Sequence, residues 1–207
     1  MNQKTTILFD MYGVILEESK GNFIPYTFKH FPKEEHERLI RQFKKEQLFT
    51  KAGNGEISSD TFLTLLGYDD PEYHMKNYIE NYLTIDSGFI SFAEKYYRQY
   101  NFVLLSTDVS EWSQYITKFY GLDQYFKHKI VSGDVRCRKP DRKIYHIALE
   151  QIQAEANECL FIDDNVNNIV AAQNVGITSI LFNRYDEQYS GEQVHSFNEL
   201  DQVLLRF

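Results

Sequence analysis

The chain is punctuated by short apolar runs that stop at carboxylates. Ile7-Leu8-Phe9 ends at Asp10, and Cys159-Leu160-Phe161-Ile162 ends at the pair Asp163-Asp164. Runs this short and this continuously apolar read as strands buried on both faces, as in a parallel sheet covered by helices. Open sheets of that kind collect ligands beyond the carboxyl ends of their strands. A chain that ends its strands in acids is therefore constrained to an α/β fold with an acidic site along one rim of the sheet.

Two further segments lie between these clusters. Phe102-Val103-Leu104-Leu105 runs into the hydroxyls Ser106-Thr107, and Arg138-Lys139-Pro140-Asp141 sets a lysine just ahead of a helical stretch. Pro140 disfavours a helical Lys139 and suits a helix start, so the lysine is expected to stand outside the helix. If Asp10, Asp163 and Asp164 share one cleft, their repulsion raises at least one pKa unless a cation sits among them. Hard oxygen donors with no His or Cys nearby point to magnesium.

Periodicity sets the rest of the order. A first strand near Thr5 to Phe9 precedes a long helical stretch from Leu16 to about Asp86. Within it, Leu39, Ile40, Phe43, Gln47 and Leu48 fit one helix, and Phe62, Leu63, Leu65 and Leu66 a second behind the cap Ser58-Ser59. Tyr78, Ile79, Tyr82 and Leu83 suggest a third. Helices and strands then alternate: helix 87–100, strand to Leu105, helix 110–120, strand 129–131, helix 141–152, strand from Cys159, helix 168–175, strand 178–182 and a closing helix from about Asn198. The alternation predicts an α/β fold with a doubly wound, mostly parallel sheet built from residues 1–15 and 87–207. Residues 16–86 are expected to form a small inserted α-helical subdomain.

Composition narrows the function classes. At 207 residues and 43% hydrophobic content, the chain can bury one core of this type. A net charge of −8 without a basic cluster argues against a nucleic-acid surface. The short Arg136-x-Arg138-Lys139 stretch suits a small anion instead. No run reaches the roughly 18 apolar residues of a membrane helix, and Met1-Asn2-Gln3-Lys4 leads into the first strand without a signal-peptide core. The expectation is a soluble cytoplasmic protein, monomer or homodimer, with a small-molecule partner. Cys137 and Cys159 lack metal or redox spacing, and Cys159 is expected in the core. None of the six histidines has ligand or triad spacing. Phe23, Tyr26 and Trp112 are candidate pocket walls.

The order Asp10, Ser106, Lys139, Asp163-Asp164 resembles the four motifs of the haloacid dehalogenase superfamily. So do the strings Lys139-Pro140-Asp141-x-x-Ile144-Tyr145 and Phe161-Ile162-Asp163-Asp164-x-x-x-Asn168-Ile169, and the likeness runs from Ile7 to about Phe182. It implies a Rossmann-like core with a helical lid inserted after the first strand. Asp10 is then the nucleophile, forming an aspartyl phosphate that water hydrolyses. Ser106, with Thr107 beside it, holds the transferred group, and Lys139 neutralises its charge. Asp10, Asp164 and the backbone carbonyl of Tyr12 hold magnesium, with Asp163 behind them and Asn168 orienting the loop. Gly176-Ile177-Thr178-Ser179-Ile180 and Gly53-Asn54-Gly55-Glu56-Ile57-Ser58 are similar to bacterial sugar-phosphate phosphatases, whose corresponding lid loop selects substrate. Gly55 is the candidate substrate contact there. The implied activity is magnesium-dependent hydrolysis of a small phosphorylated metabolite, a sugar phosphate first.

One position departs from that pattern. Phosphatases of the superfamily carry a second Asp two residues after the nucleophile, as acid to the leaving group and then base for water; here it is Tyr12. A phenol with a pKa of about 10 is a weak acid and a poor base at neutral pH, and general acid–base assistance is typically worth about 10²–10⁴-fold. Tyr at this position is familiar from the L-2-haloacid dehalogenases, whose halide leaves without a proton. Those enzymes are metal-free, and Asp163-Asp164 beside Asp10 calls for a cation. The readings rank as phosphatase, then a metal- or phosphate-binding protein without turnover, then dehalogenase.

Overall fold

The computed structural model describes residues 5–205; Met1–Lys4, read above as lacking a signal-peptide core, and Arg206–Phe207 lie outside the described residues. Strand β1 (Thr6–Phe9) is followed by five helices, α1 (Phe23–His30), α2 (His36–Lys44), α3 (Leu48–Gly53), α4 (Ser59–Leu66) and α5 (Pro71–Tyr82). Then come α6 (Ser87–Tyr96), β2 (Asn101–Ser106), α7 (Ser110–Phe119), β3 (Phe126–Val131), the short α8 (Ser132–Val135) and α9 (Arg142–Ile152). The chain ends with β4 (Cys159–Asp163), α10 (Val166–Gln173), β5 (Thr178–Phe182), β6 (Gln193–Val194) and α11 (Phe197–Leu204).

The six strands pair in the order β3-β2-β1-β4-β5-β6, every pair parallel. From β1 the chain moves outward to β2 and β3, then returns to place β4 on the other flank of β1. This reversal opens a crevice at the carboxyl end of β1, where ligands settle in such sheets. Phe9 lies opposite Leu104 on one side and Ile162 on the other. Asp10 therefore leaves the sheet beside Asp163, and its amide donates to the Ile162 carbonyl at 2.9 Å.

The apolar runs are continuous because each strand faces a core on both sides. Ile7, Phe9, Phe102, Leu104, Leu160 and Ile162 point into one cluster, which also holds Phe89 and Phe92 of α6 and Phe197 and Leu200 of α11. Leu8, Val103, Leu105, Cys159 and Phe161 point into the other, against Ile144 and Tyr145 of α9 and Ile169 and Ala172 of α10. Strand β3 is the exception. Lys127, His128 and Lys129 are exposed at its centre, which an edge strand tolerates, and they hide a strand that starts three residues earlier than its apolar end suggests.

The first cluster extends without a break into the helices between β1 and α6. Trp112 of α7 is fully buried, its ring centroid 4.8 Å from Phe23, 5.3 Å from Tyr78 and 5.7 Å from Phe49. Its indole Nε1 donates to Ser59 Oγ at 2.6 Å, and the Ser59 amide donates to Glu111 Oε1 at 3.1 Å. Phe23, Tyr26 and Trp112 are thus core residues and not the pocket walls expected from sequence. Their large apolar faces are worth more in this aromatic cluster than against water. Likewise the single helix expected through Leu39 and Leu48 is two, because Gln47 takes a left-handed conformation (φ 53°) between α2 and α3. Ile40 and Leu65, placed on apolar faces by periodicity, are exposed.

Candidate active site at the carboxyl end of the sheet

Two strand ends and one helix start converge on Lys139. Its Nζ, fully enclosed, sits 2.7 Å from Asp10 Oδ1 and 2.7 Å from Asp163 Oδ2, bridging the end of β1 to the end of β4. Asp141 caps α9 by accepting from the Lys143 amide at 2.9 Å, which leaves Lys139 outside the helix on the turn before it. Asp163 has no oxygen to spare. Oδ1 accepts from the Asn165 amide at 2.8 Å and Asn168 Nδ2 at 3.0 Å, while Oδ2 accepts from Lys139 and again from Asn168 at 3.1 Å. Asn168 is itself held by Tyr145, whose hydroxyl donates to its carbonyl at 3.0 Å. Asp10 Oδ1 also takes the Met11 amide at 2.7 Å, and Oδ2 accepts no hydrogen bond among the described residues.

Asp164, the residue after β4, accepts from Ser19 Oγ. Gly13 packs so closely that a Cβ there would stand 2.3 Å from Asp164 Oδ2, and its φ of +77° also favours glycine. Asp10, Asp163 and Asp164 each offer an oxygen within 4.8 Å of the others. Burial pushes the Asp10 carboxyl well above the usual range; Lys139 opposes this, and Asp163 and Asp164 add to it. Asp164 is raised to about 6, by burial first and by Asp163 next. One lysine does not balance three clustered acids. The charge deficit, the all-oxygen donor set and the mutual spacing suit a hard divalent cation.

A cavity of about 340 Å³ opens over these groups. Asp10, Tyr12, Thr107, Asp108, Lys139 and Asp164 line its floor, Phe49, Thr50, Gly53 and Tyr78 its far wall, and Ser19, Lys20 and Arg138 are also on its surface. Ser106 is fully buried at the end of β2 and does not line the cavity; its Oγ and Thr107 Oγ1 are buried without hydrogen-bond partners. Gly55 does not line it either. It packs instead on α8, where a Cβ would fall 2.0 Å from the Gly133 carbonyl, and Ser132 Oγ donates to the carbonyl of Gly53, two residues before it. A small backbone-facing residue there serves a close approach of two segments.

Two site residues escaped the sequence reading. Asp108 is buried, and the Tyr12 hydroxyl donates to its Oδ1 at 3.4 Å, alongside the Val109 amide at 2.8 Å. Burial pushes this carboxyl up to about 8, against the pull of the Val109 amide and Tyr12. Burial also raises the Tyr12 phenol well above its ordinary value, and Asp108 adds to the effect. The signal for Asp108 was present, since it is a carboxylate directly after the hydroxyls Ser106-Thr107 that close the β2 run. Arg184 gave none. From the end of β5 its Nε donates to the Gly13 carbonyl at 2.9 Å and its Nη2 to the Val14 carbonyl at 2.9 Å, and it pairs with Asp86. The guanidinium thereby braces the loop that follows Asp10.

A family model for haloacid dehalogenase-like hydrolases matches residues 4–176. The chain belongs to this family. Among haloacid dehalogenase-like relatives, pyrophosphatase PpaX of Listeria innocua is 23% identical over 181 residues, covering 82% of this chain and 79% of its own. A shorter match, 38% identical over 56 residues, joins 27% of this chain to 11% of the drimenol cyclase drtB of Aspergillus calidoustus. The haloacid dehalogenase-family enzyme BT-2542 of Bacteroides thetaiotaomicron, solved with magnesium and inorganic phosphate, superposes with a TM-score of 0.74 at 20% identity over 90% of this chain and 97% of that one. That likeness establishes the shared fold. Among the described residues no helix is long and apolar enough to cross a membrane.

Proposed function

We propose that this protein is a magnesium-dependent phosphohydrolase of small phosphorylated metabolites, working through an aspartyl phosphate on Asp10. The observation that carries the reading is the state of Asp10. One oxygen is locked by the Met11 amide and Lys139, and the other is free of hydrogen bonds in a cavity that also presents Thr107 and Asp164. A nucleophile needs that combination of a fixed carboxylate and an uncommitted oxygen. Asp10, Asp164 and the backbone carbonyl of Tyr12 would hold magnesium, while Asp163, with both oxygens engaged, fixes Lys139 and the loop behind them. Magnesium, when bound, offsets the carboxylate charge and polarises phosphoryl oxygens.

Lys139 holds a positive charge beside Asp10, and Thr107, which follows β2, lines the cavity next to them, while Ser106 is buried behind it. Residues 16–86, as an inserted helical subdomain, would supply the far wall and exclude bulk water. The relative named as a pyrophosphatase and the phosphate bound by BT-2542 support phosphoryl chemistry. The likeness of the Gly53–Ser58 loop suggests sugar phosphates. Tyr12, where a phosphatase carries its acid, favours one second reading, a protein that binds metal and phosphate without turnover.

The test is phosphate release from a panel of sugar phosphates and a generic aryl phosphate, with magnesium and with chelator, using Asp10→Asn as the blank. Magnesium-dependent release that disappears in the variant supports the reading. Magnesium-stabilised folding without product supports the binding protein, and halide release that survives chelator supports a dehalogenase.

A further inference from the structure

We propose that the substrate's leaving group departs as an anion without receiving a proton from the protein, and carries a negative charge of its own, as in a phosphoanhydride. The inference rests on the phosphohydrolase reading and narrows it. It also ranks anhydrides above the sugar phosphates suggested by the loop.

Few groups around the cavity could donate a proton to a leaving group. No histidine lines it, and its carboxylates are Asp10, Asp108 and Asp164. Asp10 and Asp164 are taken by the roles assigned above. Asp108 lines the cavity with its oxygens engaged or enclosed: Oδ1 receives the Val109 amide and the Tyr12 hydroxyl, and Oδ2 is buried without a hydrogen-bond partner. The Tyr12 hydroxyl, in the position where an acid would stand, is directed to Asp108. An alkoxide leaving from a sugar is strongly basic and needs such an acid. A departing phosphate is a weak base and does not.

The chemistry then balances without a protein acid. An Asp10 oxygen bonds to phosphorus, the bond from phosphorus to the bridging oxygen breaks, and its electron pair leaves with the second phosphate. Water next bonds to the phosphorus of the aspartyl phosphate as the Asp10 oxygen departs with its pair. One water proton stays on the attacking oxygen and the other passes to a phosphoryl oxygen. Lys20 and Arg138 supply the complement to the leaving group's charge. Both are exposed at the cavity, and neither forms an ion pair among the described residues.

The experiment is a leaving-group series: kcat/KM for aryl phosphates of graded leaving-group basicity, for inorganic pyrophosphate and for a sugar phosphate, in the wild type, Tyr12→Asp, Asp108→Asn and the pair Lys20→Gln and Arg138→Gln. The wild type should show a steep dependence on leaving-group basicity and prefer pyrophosphate to the sugar phosphate by at least about 10²-fold, the lower range of acid–base assistance. Tyr12→Asp should flatten the dependence and raise the sugar phosphate. Lys20→Gln and Arg138→Gln should raise KM for pyrophosphate more than for an aryl phosphate. A shallow wild-type dependence that Asp108→Asn steepens would make Asp108 the acid and overturn the proposal. Equal rates on sugar phosphate and pyrophosphate overturn this inference alone, whereas release from no substrate by any variant overturns the phosphohydrolase reading and this inference together.

Discussion

Two glycines with nearly the same φ permit a controlled measurement of the contact between the α3–α4 loop and α8. Gly55 has φ +68° and Gly121 φ +66°. Replacing either with alanine imposes a left-handed conformation on an L-residue, at roughly 1–2 kcal/mol. At Gly121 a new Cβ meets nothing within 4 Å, so the cost ends there. At Gly55 it would lie 2.0 Å from the Gly133 carbonyl oxygen, far inside the 3.4 Å at which ordinary contact begins, and the obstacle is backbone. Overpacking of that kind adds about 1–3 kcal/mol. For a chain of this size each kcal/mol lowers Tm by about 2–4 °C, so Gly55→Ala should melt about 2–12 °C below Gly121→Ala. Thermal unfolding of both variants followed by circular dichroism makes the comparison. Equal losses of Tm would refute the contact with Gly133 and reopen a cavity role for Gly55.

Other consequences can be measured directly. Lys139→Met removes the cation shared by two buried carboxylates and should cost about 3–5 kcal/mol, read from the urea midpoint; an unchanged midpoint would mean the acids re-pair or neutralise without strain. Asp108 holds its proton up to about pH 8 when folded and has an ordinary value of 3.8. Between these values the folded state binds more protons, so this group makes stability fall as pH rises. Asp108→Asn should therefore gain stability relative to wild type between about pH 5 and about pH 8, and a flat difference in denaturation free energy would contradict the burial of this carboxyl. Magnesium at a hundredfold excess over its Kd should stabilise the protein by about 2.7 kcal/mol. Asp164→Asn should lose that shift in a thermal melt.

The strand ends were legible because a strand with two covered faces has no polar positions to blur its limits. Asp10, Lys139 and Asp163 could be brought together on paper for that reason, and their contacts in space follow from the β1–β4 register. The helices between β1 and α6 were less legible. Helix α1 carries Pro25 in its first turn and no side-chain cap, and it leaves Ile24 exposed while burying Phe23, Tyr26 and Thr27, so its apolar residues announce no single face. Which aromatic rings face a cavity depends on how helices meet: Phe23 and Trp112 went to the core, while Phe49 and Tyr78 reached the wall. The Arg184 brace was invisible for a related reason. Its partners are backbone carbonyls at Gly13 and Val14, which leave no imprint on side-chain pattern.

Trp112 is the chain's single tryptophan, and it is sealed where the helix after β2 meets the helices that follow β1. Its emission therefore reports one junction. The indole is screened from water and its N–H is held by Ser59, so its fluorescence should be blue-shifted and shielded from soluble quenchers. Any ligand that parts the two walls of the cavity will redden and expose that signal, and one that leaves them packed will not. The protein thus carries a built-in optical gauge of whether its substrate enters through a moving wall or a standing opening, readable without a label.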